Sequence, residues 1–134
     1  MLETVLCVDI GTTSLKAGLL TADGEVVFLS RKSFKNPDER FIANEWLDAL
    51  KAAVCGFDFS SVSLKGICVS GAGPTVVLED GLTFRWNEKV PEDVVLPAEA
   101  GFSLFLSRVL TLKNHFSASY EKSHFVFSGP EFFI

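Results

Sequence analysis

The stretch VLCVDIGTTSLKAGLL, Val5–Leu20, determines how this sequence is interpreted. An apolar run ends in one acid, Asp9, turns through Gly11 and three consecutive hydroxyl residues, and continues as a second apolar run. A carboxylate at the end of a buried strand is costly unless it faces a cavity, a cation or hydrogen-bond donors. Gly11 permits a tight turn, and the hydroxyls and amides of residues 12–14 can converge on phosphate oxygens. The stretch therefore predicts a phosphate-binding turn between two strands.

The acid in this turn predicts a metal ion as well. A carboxylate is a poor phosphate ligand by itself, but Mg²⁺ keeps several water ligands and can lie between Asp9 and the phosphates. Lys16, just past the turn, adds a positive charge within reach of the same anion. The alternative is an ordinary hairpin in which Asp9 caps backbone amides and the hydroxyls of Thr12, Thr13 and Ser14 are solvated. The apolar strands on both sides favour the phosphate site.

Composition and charge limit the classes of protein to be considered. A chain of 134 residues fits one domain, and 48% apolar residues with thirteen Phe exclude a disordered chain. The net charge of −5 and the scattered Lys and Arg exclude a nucleic-acid surface, because binding to the phosphate backbone requires clustered basic residues. Glu3 and Asp9 interrupt any secretory signal, and no apolar stretch approaches the roughly 18 residues of a membrane span. We expect a cytoplasmic protein with no nucleic-acid or membrane partner.

The cysteines support that location. Cys7, Cys55 and Cys68 are odd in number, far apart, and each lies in an apolar segment. This pattern predicts buried free thiols in a reducing compartment.

The first half of the chain predicts three antiparallel strands, a helix and a fourth strand. Thr4 to Ile10 is typical of a strand buried on both faces. Alternating apolar residues at 15–19 predict a second strand, and Asp23-Gly24 predicts a hairpin to a third. Asn44 is expected to cap an amphipathic helix. The apolar run 64–71 is expected to form a buried strand parallel to the first.

The second half predicts a small hairpin, a helix and a last strand. The hairpin turns at Asp80-Gly81, and apolar residues from Phe102 onward follow helical spacing to about Asn114. A brief strand precedes a turn at 128–130, and only four residues follow Pro130, where a new helix is expected to start. The overall order is β-β-β-α-β-α-β in an α/β fold that we expect to be incomplete. Such a fold would expose apolar surface near its Phe-rich end and self-associate as a homo-oligomer.

Several segments in order resemble one enzyme family. DIGTTSLKAGLL followed by DGEVV is similar to the first phosphate motif of the actin-like ATPase superfamily. The likeness continues through NEWLDAL, LKGICVSG, RWNE and the segment from Ser103 to Ile134, in the order found in the FGGY carbohydrate kinases, the group of xylulokinase and glycerol kinase. The resemblance implies a ribonuclease-H-like domain with a five-stranded mixed sheet. It also implies half of a two-lobed enzyme that closes over ATP and a sugar or polyol.

The resemblance also implies roles for the residues of the opening turn. Asp9 would organise Mg²⁺ through water, and Gly11, Thr12 and Thr13 would contact the terminal phosphates. Ser14 would support the turn, and Lys16 would take the place of a basic residue near the phosphates. These roles suit phosphoryl transfer, in which positioning and charge neutralisation supply most of the catalysis.

Two parts of the family's catalytic machinery have no counterpart in the 134 residues. The catalytic aspartate that accepts the proton of the attacking hydroxyl comes from a later part of the first lobe, and the second lobe supplies the adenosine pocket. Glu131, the last acid, does not match the motif of that base. Residues 1–134 would thus be the N-terminal part of the first lobe, without the second lobe. We expect this chain to have no kinase activity alone.

The segment that would read the substrate departs from the family. Family members place Gln and other polar residues after the fourth strand, where this chain has Ala72-Gly73-Pro74. A site that reads hydroxyls loses much of its selectivity when hydrogen-bond partners are missing, so the sugar is not identified. The remaining candidates for substrate contact are Gly71, Gly73, Thr75 and Trp86. Trp86 matches a family Trp-Asn pair and could stack on a sugar or belong to the core.

Two other functions remain open at this point. A nuclease of the ribonuclease H fold would need further carboxylates converging on Asp9, but the fourth strand offers Val69-Ser70 there. A non-catalytic actin-like module would bind nucleotide or a partner without turnover, which the lost substrate contacts favour. His115 and His124 are interpreted as structural residues.

Overall fold

The computed structural model describes residues 1–71 and 73–134, and this part of the chain contains two sheets. The larger sheet has four strands in the order β3-β2-β1-β4. They are β1 (Leu2–Ile10), β2 (Ser14–Thr21), β3 (Val26–Ser33) and β4 (Val62–Gly71). Helix α1 (Ile42–Val54) connects β3 to β4. The predicted order of these five elements is confirmed.

Strand β1 lies inside the larger sheet, antiparallel to β2 and parallel to β4. The predicted hairpin between β2 and β3 is confirmed: Gly24 has φ 85°, a conformation that glycine adopts without steric cost. The parallel pairing places Ile10 opposite Gly71. The carboxyl ends of β1 and β4 therefore lie side by side, and the segments that follow them leave from the same edge of the sheet.

Helix α1 covers one face of the larger sheet and forms the main core with it. The alternate residues of β1 and β2 that point toward α1 are at most 6% exposed, as expected for strands with one buried face. Trp46, at 5% exposure, is the large side chain that α1 inserts into this core. The buried residues of the sheet and helix that form it include Leu6, Val8, Ile10, Leu15, Ala17, Leu19, Ile42, Ala43, Trp46, Ala49 and Ala53.

The predicted cap of α1 is wrong. The helix begins at Ile42, and Phe41 precedes it without a side-chain cap hydrogen bond. Ile42 and Ala43 are 1% and 0% exposed, so burial of these two residues starts the helix before Asn44. The Asn44 side chain instead donates from Nδ2 to the carbonyl oxygen of Asp80 at 3.1 Å. It thereby joins α1 to the second hairpin.

The opposite face of the larger sheet, called the outer face here, is open. A concavity on it is lined only by strand residues, among them Cys7, Gly18, Leu29 and Cys68. Val5 is 36% exposed and Leu29 is 66% exposed. The prediction that β1 is buried on both faces is therefore wrong, because α1 covers one face and no described element covers the other.

Strand β4 is also more exposed than predicted. It forms an edge of the sheet, and its Leu64 and Ile67 are 41% and 64% exposed. The cysteines follow the same pattern: Cys68 and Cys55 are exposed and Cys7 is half-buried. All three are free thiols as predicted, but their predicted burial is wrong. Apolar sequence neighbours imply burial only when a second layer covers the strand.

We expect this chain to self-associate through the outer face. Contiguous exposed apolar surface promotes association between molecules, and Leu29 lies within this surface. Leu29→Lys should move the transition from monomer to oligomer to a higher protein concentration, because a charge in the interface must be desolvated. Sedimentation velocity over a wide concentration range measures this transition.

Val95→Lys is the matched control for that experiment. Val95 is 78% exposed but lies in the connection between the Asp80-Gly81 hairpin and the next helix, and it does not line the concavity of the outer face. It should leave the transition unchanged. A wild-type chain that stays monomeric at every concentration contradicts the expectation.

The second sheet has three short strands in the order β6-β5-β7 within the described residues. They are β5 (Val76–Leu78), β6 (Thr83–Phe84) and β7 (Val126–Ser128). The predicted hairpin at Asp80-Gly81 is confirmed, with Gly81 at φ 88°. The last strand pairs with β5 and not with β4, so the expected five-stranded sheet is a four-stranded sheet beside a three-stranded one. The fold class, α/β with a mixed sheet, is confirmed.

Helices α2 (Leu104–His115) and α3 (Ser117–Tyr120) pack on this smaller sheet. Ser103 caps α2 by accepting from the Leu106 amide at 3.0 Å. The predicted helix is confirmed, but it begins at Leu104 after the Ser103 cap, so that Phe102 lies before it and is 91% exposed. The buried face of α2 instead carries Arg108, Thr111 and Leu112.

The C-terminal residues turn back onto the main core. Pro130–Phe133 form a 3₁₀ turn with the proline at its start, and Phe132 and Phe133 pack partly buried on the core. Phe125 remains 62% exposed. The Phe-rich end therefore exposes Phe125 and Ile134, while Phe132 and Phe133 pack against the core. Among the described residues, no helix combines the length and apolar character needed to cross a membrane.

Candidate functional site

The turn after β1 is tight and depends on glycine. The Gly11 amide donates to the carbonyl oxygen of Ser14 at 2.9 Å, which closes the turn. A Cβ at position 11 would lie 2.8 Å from that same oxygen, closer than real Cβ contacts. Gly11 is thus required by the space in the turn and not by a positive φ. The turn is therefore closed by its own backbone without a ligand.

The structure places Asp9 and Lys16 next to each other. They are register partners in β1 and β2, and Lys16 Nζ lies 3.6 Å from Asp9 Oδ2. The two side chains are 53% and 56% exposed, so the ion pair lies in solvent and contributes little to stability. An exposed pair of this kind can exchange partners. A carboxylate and an ammonium group are therefore available at the start of the turn.

The hydroxyl residues of the turn divide into two kinds. Thr12 and Thr13 are exposed, and no acceptor for their backbone amides lies among the described residues. Ser14 is 6% exposed, and its Oγ accepts from Arg31 Nε at 3.1 Å. The Thr13 carbonyl accepts from the Phe34 amide at 2.9 Å. Two residues therefore present donors to solvent while Ser14 ties the turn to β3.

These groups fit a hydrated Mg²⁺ ion. Mg²⁺ takes oxygen ligands, retains waters, and is held in phosphate sites by one or two carboxylates together with the phosphates. In the described part of the chain, no group of three or more His, Cys, Asp or Glu side chains is placed to hold a metal. The exposed Asp9 carboxylate offers one hard oxygen group, which suits contact through water better than a closed metal cage.

The four candidates for substrate contact are brought together at the end of β4. Gly73 has φ 45°, and a Cβ added to it would lie 3.3 Å from the Cβ of Trp86. The Trp86 amide donates to Thr75 Oγ1 at 3.1 Å. Gly71 ends β4 opposite Ile10. Ala72, part of the departure from the family pattern, lies outside the described residues.

Burial distinguishes the roles of these candidates. Trp86 is 45% exposed, so it is a surface side chain and not part of the core. Thr75 is 3% exposed, and its hydroxyl is used by the Trp86 backbone. Trp46 is the core tryptophan instead. The group therefore presents one aromatic ring and glycine backbone to solvent.

Sequence reasoning missed the charged residues that hold the Trp86 segment. Glu88 accepts from the Arg85 amide at 2.6 Å and from Arg40 Nη1 at 2.6 Å. Arg40 also lies over the ring of Phe116, 5.1 Å from its centroid, at a distance typical of a cation–π contact. Arg108 donates to the carbonyl oxygens of Arg85 and Trp86. The signal in the sequence was a charged residue, Arg108, within an apolar helical stripe.

Glu131 and the two histidines have structural partners. The Glu131 carboxylate accepts from the Ser128 amide at 2.8 Å, and this hydrogen bond lowers the pKa of Glu131. A carboxylate with a lowered pKa is a weaker proton acceptor, so Glu131 is poorly suited to be a general base. His115 Nε2 lies 3.0 Å from Asp93, and His124 Nδ1 lies 3.4 Å from Glu79.

The nuclease alternative loses support from the register. Asp9 is flanked by Lys16 on β2 and by Ser70 on β4. Two-metal hydrolysis requires several carboxylates around the ions. Within residues 1–71 and 73–134, no cluster of three acidic or other metal-ligating side chains meets that requirement.

Comparisons with known proteins give a consistent result at the level of structure. No family model matches the sequence, and no curated protein is similar enough to count as a match. Solved structures do match. A xyloylose kinase from Brucella ovis superposes with a TM-score of 0.75 at 18% identity, over 97% of this chain and 33% of that chain.

Two further solved structures match over the same extent. The xylulose kinase from Rhodospirillum rubrum gives a TM-score of 0.73 at 21% identity, over 96% of this chain and 33% of that chain. The gluconate kinase from Lactobacillus acidophilus gives a TM-score of 0.72 at 15% identity, over 98% of this chain and 32% of that chain. This chain spans about a third of the length of the structures that it matches. It has the fold of the N-terminal domain of sugar kinases, the actin-like ATPase fold.

Proposed function

We propose that this chain is part of a carbohydrate kinase that transfers a phosphoryl group from ATP to a hydroxyl of a sugar or polyol. The observation that carries the proposal is the turn Gly11–Ser14, closed by its own backbone beside Asp9 and Lys16. It lies at the edge of the sheet where β4 also ends. Ligands in open α/β sheets bind at the carboxyl ends of the strands, which is where these groups lie.

In this proposal the turn binds the terminal phosphates. The amides and hydroxyls of Thr12 and Thr13 donate to phosphate oxygens, and Gly11 lets the backbone approach them. Asp9 would hold a Mg²⁺ ion through water. Lys16 exchanges its exposed contact with Asp9 for the phosphate charge. When bound, Mg²⁺ would neutralise charge on the phosphates, and the residues of the turn would position those phosphates.

The acceptor would lie beside Gly71, Gly73 and Trp86. The half-exposed Trp86 ring offers an apolar surface for the carbon face of a sugar, and the glycines allow close approach to backbone groups. Thr75 acts through its hydrogen bond to the Trp86 amide. The polar residues that family members place after the fourth strand are absent here, where the chain has Ala72-Gly73-Pro74. Recognition of the sugar would therefore depend on the shape of the site and on backbone groups more than on hydrogen bonds from polar side chains to the sugar hydroxyls.

We propose that residues 1–134 form the N-terminal part of the first lobe in a longer kinase. The general base and the adenosine pocket would come from segments outside these residues. The open outer face would then receive further helices of the same lobe, since α/β sheets are usually covered on both faces. The three free cysteines are consistent with a cytoplasmic location for that protein.

The proposal is tested by titrating this chain with ATP in the presence and absence of Mg²⁺. We expect backbone amide shifts in two-dimensional NMR that are confined to residues 9–16 and strengthened by Mg²⁺. Asp9→Asn should remove the dependence on Mg²⁺, because a neutral amide binds a hydrated cation poorly. The control Asp23→Asn changes an exposed hairpin acid and should behave as wild type.

Two outcomes would contradict the proposal. One is the absence of any shift at residues 9–16 up to the highest Mg-ATP concentration of the titration. The other is a Mg²⁺-dependent response that persists unchanged in Asp9→Asn. A chain that responds to Mg-ATP but whose Trp86 responds to no sugar would support the non-catalytic nucleotide-binding module instead.

A further inference from the structure

We propose that Arg108 is a positioning residue that holds Trp86 in place for the acceptor substrate. Arg108 lies on α2 and is 6% exposed, although arginine is rarely buried unless it is paired. Its guanidinium donates to three backbone carbonyl oxygens. Nε reaches Arg85 at 3.3 Å, Nη1 reaches Leu104 at 2.7 Å, and Nη2 reaches Trp86 at 2.5 Å.

These contacts explain why arginine occupies this position. A planar guanidinium carries five donors in a fixed fork, so one side chain can bind several carbonyls at defined positions. Burial lowers the pKa of Arg108, and the nearby Glu88 carboxylate opposes that effect. Desolvating a cation is costly unless its donors are satisfied. That cost is offset here by the Leu104 carbonyl within α2 and by the carbonyls of Arg85 and Trp86, which tie the segment 85–86 to α2.

The Trp86 peptide is held from both sides. Its carbonyl oxygen accepts from Arg108, and its amide donates to Thr75 Oγ1. Both partner side chains are buried, at 6% and 3% exposure, whereas the Trp86 side chain is 45% exposed. Gly73 lies so close to Trp86 that a Cβ added to it would be 3.3 Å from the Trp86 Cβ. Two buried anchors therefore orient one exposed ring relative to the end of β4.

The neighbouring residues complete this support. Glu88 accepts from the Arg85 amide at 2.6 Å and from Arg85 Nε at 3.3 Å, which closes the segment 85–88 on itself. Arg40 joins Glu88 to the Thr83 carbonyl oxygen. The ring is thus set on a segment whose backbone has few conformational choices. Binding groups held by supporting contacts of this kind lose little entropy when a ligand arrives.

This inference rests on the proposed function for the role of Trp86, but its test does not require a substrate. The chain has two tryptophans, and 5-fluorotryptophan labelling gives one ¹⁹F resonance for each. Trp86→Phe assigns them. In Arg108→Met, which keeps an apolar stem and removes the donors, we expect the Trp86 resonance to shift and broaden while the Trp46 resonance stays in place. Arg108→Lys, with one charged donor group, should restore part of the wild-type signal.

Thr111→Val is the matched control on the same helix. Thr111 is 1% exposed, and its hydroxyl donates to the Ser107 carbonyl oxygen within α2, whereas the Arg108 guanidinium donates to the Arg85 and Trp86 carbonyls. It perturbs α2 but should leave the Trp86 resonance unchanged. If Thr111→Val alters Trp86 as much as Arg108→Met does, Arg108 has only a general structural role. An unaltered Trp86 resonance in Arg108→Met would also overturn the proposal.

A second variant and a titration with sugars separate failure of the Arg108 proposal from failure of the proposed function. If Arg108→Met does not fold, Arg108→Lys tests the proposal. Its Trp86 resonance must then differ from that of the wild type, while its Trp46 resonance must not. D-xylulose, D-gluconate and glycerol are then added to the wild-type chain. If none of them shifts Trp86, the sugar site of the proposed function fails, whereas the effect of Arg108 on the ring has been measured without ligand.

Discussion

Trp46→Ala is expected to lower the free energy of unfolding of this chain by about 3–5 kcal/mol, the usual cost of truncating a buried aromatic residue. Trp46 is 5% exposed and is the large side chain that α1 places in the main core. Its ring also approaches Gly129, so it links the core to the C-terminal turn. Domains have only about 5–15 kcal/mol of stability, and an open sheet face leaves this one with less burial than a covered sheet. Urea denaturation followed by far-ultraviolet circular dichroism measures the loss.

Trp86→Ala is the matched control, because it removes the same side chain from a half-exposed position. We expect it to cost about 1 kcal/mol or less, since substitutions away from the core have small effects. The backbone hydrogen bonds of residue 86 to Thr75 and Arg108 do not depend on the ring. Equal losses in the two variants would show that Trp46 does not anchor the core.

Features that depend on local sequence were predicted correctly. The tight turns of the hairpins at Asp23-Gly24 and Asp80-Gly81 require a residue with positive φ, and glycine provides it. The Asp-Gly pair therefore indicates each turn from two adjacent residues. The parallel pairing of β1 with β4 follows from the helix between them. Neither inference needs knowledge of the rest of the fold.

Features that depend on tertiary packing were predicted less well. Apolar runs in β1 and β4 indicate strands but do not show how many faces are covered, and here one face is open. The same limitation applies to Phe102, which continues an apolar helical pattern but lies before α2 in solvent. In α1, burial of Ile42 and Ala43 outweighed the capping preference of Asn44. In each case the burial of the residue depends on which other elements pack against it, and the local sequence does not show this.

The candidate site shows the same division. The tight turn at Gly11 and the position of Lys16 close to it could be predicted, because these residues lie within eight positions of Asp9, whereas the ion pair of Lys16 with Asp9 appears only in the structure. The support of Trp86 could not, because Arg108 and Trp86 are 22 residues apart and meet only when α2 packs on the smaller sheet. Thr75 illustrates the consequence: it was predicted as a substrate contact, and its hydroxyl is directed to the Trp86 amide.

Gly11→Ala is expected to abolish the Mg-ATP response of residues 9–16 and to lower the free energy of unfolding by about 1–3 kcal/mol, as overpacking does in well-packed sites. The added Cβ would lie 2.8 Å from the Ser14 carbonyl oxygen, the same atom that accepts from the Gly11 amide at 2.9 Å. Backbone atoms cannot move aside as a flexible side chain can, so the turn must open. Opening it separates the donors of Thr12 and Thr13 from Asp9. Amide shifts on titration and urea denaturation measure the two effects.

Gly66→Ala is the control that separates loss of the turn from loss of a glycine. Gly66 lies in β4, has no positive φ, and a Cβ added there would meet nothing within 4 Å. We expect its stability to change by no more than about 0.5 kcal/mol and its response to Mg-ATP to remain that of wild type. If Gly11→Ala were destabilised but still gave the wild-type shifts at residues 9–16, the closed turn would be a structural feature and not the phosphate site. Nucleotide binding depends on the closed turn only if Gly11→Ala both lowers the free energy of unfolding and abolishes the Mg-ATP shifts at residues 9–16.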